Sequence, residues 1–414
     1  MQNVTSRRSF VAAAATAAVA AASIAGMGAE KAQAIQAGEV AAWDYEADVV
    51  VCGSGAGGSA AAVEAADNGA EVIVIEKKDW QGGQLRRCGG GVMAAGTAVQ
   101  AKFGIEDDAE KMFEYWMAMG KGLCDEALVR DFCLNSAGIV SWIIDDLGGQ
   151  PVDEWGISGD DPMGLEYTVF AGLNIGVSPE MMEELGFEPV ARCHWFTQNP
   201  DDELIGDESM GLFPTAGGTG LYKTFADAME ARGVQVLLET ALTRLVVADG
   251  SNEVVGIVAQ QSGKDVFIKA RKGVVVATGN FATNREMHFN YTLEDYTVND
   301  YNGYGQDLES ENDGSGWNAC LALGAAPKFP GKLNMPYDHA LEGDYAFMLG
   351  GLTIDQKAQA IDVYGEAIPR LFITSTLAGG VIGGAYPACG ASIGRNLYFG
   401  RVAGREAAAL DSLA

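Results

Sequence analysis

The chain has 414 residues, with 56 acidic against 27 basic side chains and a formal charge of −29 at pH 7. A surface this negative repels nucleic acid and anionic membranes, and no basic stripe offsets it. Hydrophobic residues make up 48% of the chain and glycines number 55, so a sizeable core with many tight turns is expected, as one large domain or two.

In chain order, Arg7-Arg8 followed by Ser9-Phe10 precede an alanine-rich run with no charge until Glu30. That run lacks helical alternation and is too weakly apolar for a permanent membrane span. A basic start, a soft apolar stretch and Ala32-Gln33-Ala34 as an A-x-A site have the layout of a secretory signal. The paired arginines give it the twin-arginine form, which exports proteins already folded. Residues 1–34 are therefore expected to be a signal, and the mature protein to reach the periplasm, cell surface or extracellular space.

The first strong pattern is "EADVVVCGSGAGGSAAAVEAADNGAEVIVIEK", Glu46 to Lys77. Asp48–Cys52 read as a buried strand, Gly53-Ser54-Gly55-Ala56-Gly57-Gly58 as a turn, Ser59–Asn68 as a helix and Glu71–Ile75 as a second strand. In G-x-G-x-x-G the first glycine allows the tight turn and the second lets backbone approach a pyrophosphate. The third lets helix pack on strand, and the helix N-terminus faces the phosphates. Glu76, at the end of the second strand, is placed to accept from an adenosine ribose, with Lys77 beside it. A flavin stays bound where a nicotinamide dissociates, and folded export suits a protein carrying its cofactor. Non-covalent FAD is the expected group.

The glycine-rich stretch Gly82–Thr97 ("GGQLRRCGGGVMAAGT") suits backbone passing close to a ring or phosphate, with Gly83, Gln84, Gly89, Gly90 and Gly96 as candidates. It holds no histidine for a covalent linkage. Glu106 to about Gly148 has helical spacing, and an irregular acidic segment follows to about Gly211. Next come a helix, a strand, a turn and a strand containing Ala241, then a polar hairpin, and then the buried strand "GVVVATGNFATN". The chain closes with a unit from Gly350 and a last helix from about Gly394.

Seven cysteines form no C-x-x-C or C-x-x-C-H, so no c-type haem or iron–sulfur cluster is attached to this chain. Most are expected to be buried free thiols. The three histidines, His194, His288 and His339, share no metal-ligand spacing, and no metal is expected.

Four segments together resemble the FAD-dependent fumarate reductase/succinate dehydrogenase flavoproteins, including their 3-ketosteroid Δ1-dehydrogenase-like branch. They are the Gly53–Glu76 fingerprint, "GGGVMAAGT" (Gly89–Thr97), Ala277-Thr278-Gly279, and the unit from Gly350 to Ala408. The resemblance implies an α/β fold: a Rossmann-like FAD-binding domain, 45–285 plus 349–414, interrupted by a small α+β capping domain at 286–348. It places Ser375, Thr376, Ser392 and Ile393 at the flavin. Ser375-Thr376 stands where the family usually has an acidic pair, and the capping segment is about half the usual size. The histidine and arginine that clamp carboxylates in the fumarate-type branch are missing from "GGVIGGAYPACGASIG". Tyr386-Pro387-x-x-Gly390 instead resembles the steroid branch, in which the tyrosine and the glycine backbone meet the substrate carbonyl.

The function so implied is exchange of hydride between flavin N5 and a carbon–carbon bond next to a carbonyl. The substrate would be a small unsaturated carbonyl compound, with a separate haem or membrane electron donor as partner. Tyr386, Gly390, His194 and Arg395 are the candidate catalytic groups, with Tyr301 and Tyr304 as substrate-facing candidates. A flavin-binding or electron-transfer protein without catalysis, derived by shortening of the capping domain, is the alternative.

Overall fold

The computed structural model describes residues 33–151, 168–170, 173–174, 183, 186–188, 190–197, 217–281, 284, 286–287, 312–328 and 350–413. Arg7, Arg8, His288, Tyr301, Tyr304 and His339 lie outside the described residues.

Nine of the described strands form one sheet. They are β1 (Ile35–Gln36), β2 (Tyr45–Cys52), β3 (Val72–Ile75), β4 (Gln235–Leu237), β5 (Thr240–Val247), β6 (Val254–Gln261), β7 (Lys264–Val276), β8 (Gln359–Ile361) and β9 (Ala367–Ile373). β4, β3, β2, β7 and β9 lie side by side and run parallel. Read by chain position this is the 3-2-1-4-5 order of a doubly wound sheet, which reverses direction between β2 and β7. Val49–Cys52 and Val274–Val276 are covered on both faces, which explains their unbroken apolar runs.

The polar hairpin and the buried "GVVV" run, expected as separate elements, share one strand. β7 pairs antiparallel with β6 through its first half, then runs parallel between β2 and β9 at its end. The register shifts between Ala270 and Gly273, and a side chain at Gly273 would stand 3.1 Å from the Ala407 methyl. The shift lets one chain segment serve two sheet environments.

Seven helices matter for the site: α1 (Ala56–Asp67), α2 (Gly83–Arg87), α3 (Ala109–Gly120), α4 (Glu126–Ser141), α5 (Gly217–Ala231), α6 (Ser315–Leu321) and α7 (Ala391–Ala408). α1 begins three residues before the position expected from sequence. Gly57 and Gly58 lie in its first turn, and a β-carbon on Gly58 would fall 1.8 Å from the Gly53 carbonyl oxygen. α1 and α7 touch backbone to backbone. β-Carbons on Gly400 and Gly404 would come within 2.4 Å of Gly57 O and 2.2 Å of Ala61 O. Arg401 Nε, 2.6 Å from Glu64 Oε2, pins the pair from the side.

The long helical region divides at Lys121, a helix C-cap with φ 51°, and restarts where the Asp125 carboxylate accepts from Ala127 N and Leu128 N. α6 falls in the span expected to cap the substrate, yet it belongs to the sheet's packing. Trp317 is fully buried against Phe281, ring centroids 4.9 Å apart. Residues 327–328 then pair with 351–352.

Candidate functional site

A cavity opens at the carboxyl ends of β2 and β7, where the strand order reverses, the position at which open α/β sheets bind ligands. Gly53, Gly55 and Ala56 line it from one side, and Ala277, Thr278 and Gly279 from the other. Glu76 and Lys77 extend it from the end of β3, Gly83, Gln84, Gly89 and Gly90 wall it, and Ser375, Thr376, Tyr386, Gly390, Ser392, Ile393 and Arg395 close the far end.

At the β3 end the polar groups are held in place. Glu76 is buried, and its Oε2 accepts from Ser54 N at 3.1 Å and Ser54 Oγ at 2.7 Å, while Oε1 accepts from Lys78 N at 3.1 Å. Ser54 Oγ in turn accepts from Gly82 N at 2.8 Å. The carboxylate is thus fixed before any ligand arrives. The glycines of the turn divide by role. A β-carbon on Gly53 would lie 2.6 Å from Ala277 O, so the protein's own packing excludes it. A β-carbon on Gly55 would meet only Gly82 O, at 3.9 Å. Among the described residues nothing demands glycine at 55, and the open space leaves the backbone accessible to a ligand. No side chain caps the N-terminus of α1, and its first N–H groups head toward the cavity through Gly55 and Ala56.

The far end is different. Tyr386 is buried, and its phenol oxygen accepts from Ser392 N, in the first turn of α7, at 3.0 Å. Burial pushes the phenol's pKa up, so it stays protonated. Arg395 is 4% exposed and donates through Nη1 to Ala378 O at 2.7 Å and Ser375 O at 3.2 Å. Burial lowers its pKa to about 10, and among the described residues no carboxylate pairs with it. Among the described residues, the buried polar atoms on the cavity wall without a hydrogen-bond partner include Arg395 Nε, Asn396 Oδ1 and Thr278 Oγ1. Ser375 is held at φ 63°, a left-handed conformation that costs a non-glycine residue about 1–3 kcal/mol. An open glycine cradle beneath an uncapped helix N-terminus, with orphaned donors and acceptors beyond it, fits a dinucleotide whose pyrophosphate meets α1 and whose ring lies toward Tyr386.

Six expected site residues do not line the cavity. Ser54 supports Glu76 from behind, and Gly57 and Gly58 serve the contacts of α1 with α7 and β7. Gly96 turns the chain beside Asp107, and Ala241 alternates away while its neighbours Thr240 and Leu242 face the cavity.

His194, a candidate catalytic group in the sequence, does not line the cavity. Its Nδ1 donates to the Arg192 carbonyl at 2.8 Å, and its Nε2 accepts from Thr97 Oγ1 at 2.8 Å. Burial lowers its pKa to about 4, so it is neutral near pH 7. It belongs to a buried network that continues through Gln100 and Asp107 to the bidentate Asp107–Arg192 pair.

The next residue, Trp195, faces the cavity instead, with its ring 3.1 Å from where a Gly89 β-carbon would stand. Sequence reasoning missed Trp195, Ile382, Cys88 and Cys389 on the wall. Among the described residues no cluster could hold a metal.

A family model described as an FAD binding domain matches residues 48–314. The chain is 30% identical over 259 residues to a digoxin reductase of Eggerthella lenta, covering 59% of this chain and 38% of that protein. It is 28% identical over 281 residues to an acrylate reductase flavoprotein subunit of Shewanella woodyi, covering 64% and 46%. It thus spans less than half the length of these curated relatives. Among solved structures it is similar to the 3-ketosteroid-Δ4-(5α)-dehydrogenase of Rhodococcus jostii RHA1 in complex with 4-androstene-3,17-dione. That match has 25% identity and a TM-score of 0.73 over 91% of this chain and 99% of that one. The strand order, the open cradle at Gly55 and the orphaned ring-end groups agree with these likenesses: the chain belongs to the FAD-binding domain family, and FAD is its cofactor.

Proposed function

We propose that this protein is an FAD-dependent oxidoreductase acting on a carbon–carbon bond next to a carbonyl. The observation that carries the reading is a buried phenol and a buried guanidinium together on the wall of the FAD cavity, the guanidinium without a carboxylate partner among the described residues. Bound FAD supplies two-electron redox chemistry there. The N–H of Ser392, donated to Tyr386 Oη, polarises the phenol toward giving its own proton to a substrate carbonyl. Arg395, fixed by two backbone carbonyls, lies where negative charge on a substrate oxygen would be stabilised in a water-poor site. Trp195 and Ile382 add an apolar wall that excludes water. The names acrylate reductase and digoxin reductase, and the androstenedione in the solved relative, support a small unsaturated carbonyl compound as substrate. A separate haem or membrane donor fits the cytochrome fumarate reductases to which the chain is also similar. Export through the twin-arginine route completes the reading, and Arg7→Lys with Arg8→Lys should leave FAD-loaded protein in the cytoplasm.

The test is anaerobic. FAD-loaded protein reduced with dithionite is mixed with a panel of enones, steroids and unsaturated acids, and flavin absorbance is followed. Reoxidation by at least one member is expected, slowed about 10²–10³-fold in Tyr386→Phe with flavin content unchanged. A panel that never reoxidises the flavin, or a Tyr386→Phe rate equal to the parent's, defeats the proposal.

A further inference from the structure

All seven cysteines are free thiols, and the reaction proposed above uses none of them. Two converge on the cavity wall. Cys193 lies on the strand Cys193–His194, which pairs antiparallel with Val92–Met93 and sets Met93 opposite Cys193. The N–H of the same Met93 donates to the Gly390 carbonyl at 3.1 Å, and Gly390 follows Cys389. The two cysteines therefore flank one short strand, and their sulfurs meet over Gly91. The vacant β-position of Gly91 is 2.3 Å from Cys193 Sγ and 3.3 Å from Cys389 Sγ, so any side chain there would occupy space the sulfurs share. Cys193 is fully buried, whereas Cys389 is partly exposed and lines the cavity. Burial and the neighbouring Cys389 thiol push the Cys193 pKa well above its ordinary value.

We propose that Cys193 and Cys389 form a reversible disulfide that acts as a redox clasp in the wall of the FAD cavity. The oxidant is a low-molecular-weight disulfide. Cys389 loses its proton to water and attacks one sulfur of the small disulfide, expelling one small thiolate. The expelled thiolate takes the proton of Cys193, whose sulfur attacks that of Cys389 and releases the second small thiolate, which is protonated by water. Two protein thiols lose two electrons and gain one S–S bond, and one small disulfide becomes two small thiols. An accessible attacking thiol and a buried resolving thiol match the reach of the two residues. The bond would tie the strand Cys193–His194 to the loop entering α7 across Gly91, joining three wall segments. It should slow loss of FAD, and it rests on no step of the reaction proposed above.

Holoenzyme is incubated with oxidised glutathione, cleared of it, and its thiols counted in denaturant. Two fewer thiols are expected, with peptide mass spectrometry linking Cys193 to Cys389 and dithiothreitol restoring the full count. Cys389→Ser and Cys193→Ser should lose no pair, whereas Cys320→Ser should lose the same two thiols as the parent. If Cys193→Ser does not fold, Cys389→Ser, at a partly exposed position, carries the comparison. FAD release from oxidised protein should be several-fold slower than from reduced protein. An unchanged thiol count, a stable glutathione adduct on Cys389 with Cys193 still free, a link through Cys88, or equal FAD release overturns the clasp.

Discussion

The two ends of the cavity are built on opposite plans. At the β3 end the Glu76 carboxylate is bonded by Ser54 and Lys78, and Ser54 by Gly82, so these groups are satisfied before FAD arrives. At the α7 end, among the described residues, Arg395 Nε, Asn396 Oδ1 and Thr278 Oγ1 are buried without partners and Arg395 has no counter-charge. Buried polar atoms left unmatched cost about 1–3 kcal/mol each. A pre-satisfied end holds a ligand in register. An unsatisfied end gains most when a ligand or a developing charge completes it, which is the arrangement expected where chemistry happens.

The comparison breaks most sharply at the glycine turn. Gly58→Val places a branched side chain at a position where even a β-carbon falls 1.8 Å from Gly53 O, and no folded soluble protein is expected. Gly55→Val, two angstroms further from its nearest neighbour and in an extended backbone that valine accepts (φ −69°), should fold. Its FAD content should drop at least tenfold, while apo-protein melting stays within a few degrees of the parent. If Gly55→Val keeps its FAD, the pyrophosphate is not at this turn.

A third variant separates polar groups that only support the wall from those awaiting a ligand. His194 is partnered on both ring nitrogens, and its pKa is about 4 when folded against 6.5 in an unfolded chain. The unfolded state takes up a proton as pH falls below 6.5 and the folded state does not. Stability is therefore lost between pH 6.5 and 4, by about 3 kcal/mol from this one group. Denaturant melts of the parent and His194→Gln at pH 7 and pH 4 measure the difference. A parent that loses no more stability than the variant over this range shows that His194 titrates normally.

The smallest effect is expected at Arg395. Arg395→Met removes a buried charge that no carboxylate among the described residues pairs, together with its bonds to Ser375 O and Ala378 O, so apo stability should change by no more than about 1–2 kcal/mol. Turnover with a responsive enone should fall much further. A large loss of apo stability would mean that the guanidinium's bonds to Ser375 O and Ala378 O hold the fold, and that it does not wait for a ligand.

The dinucleotide end was legible in the sequence because its parts are contiguous. Gly53, Gly55, Gly58 and Glu76 fall within one strand–turn–helix–strand unit, where spacing fixes position. The family, the fold class and FAD follow from that unit with the Ala277-Thr278-Gly279 strand end. Tyr386 and Gly390 were marked by the resemblance to the steroid branch, and both line the cavity. That Trp195 lines the cavity and His194 does not was not legible, because adjacent residues in extended chain face opposite sides and nothing local says which side is the cavity. Ala241 failed for the same reason, by one residue of register.

What only the tertiary structure decided is what distant segments do to one another. α6 packs through Trp317 onto Phe281, and no local signal marks that contact in the sequence. The meeting of Cys193 with Cys389 over Gly91 brings together residues nearly two hundred positions apart in sequence. The lack of a partner for Arg395 Nε likewise depends on everything that folds around it. Local sequence fixes dihedral preference and periodicity, so it determined the turn, the helices and the bound cofactor. Burial, hydrogen-bond satisfaction and charge pairing are sums over neighbours that the chain acquires only once it is folded.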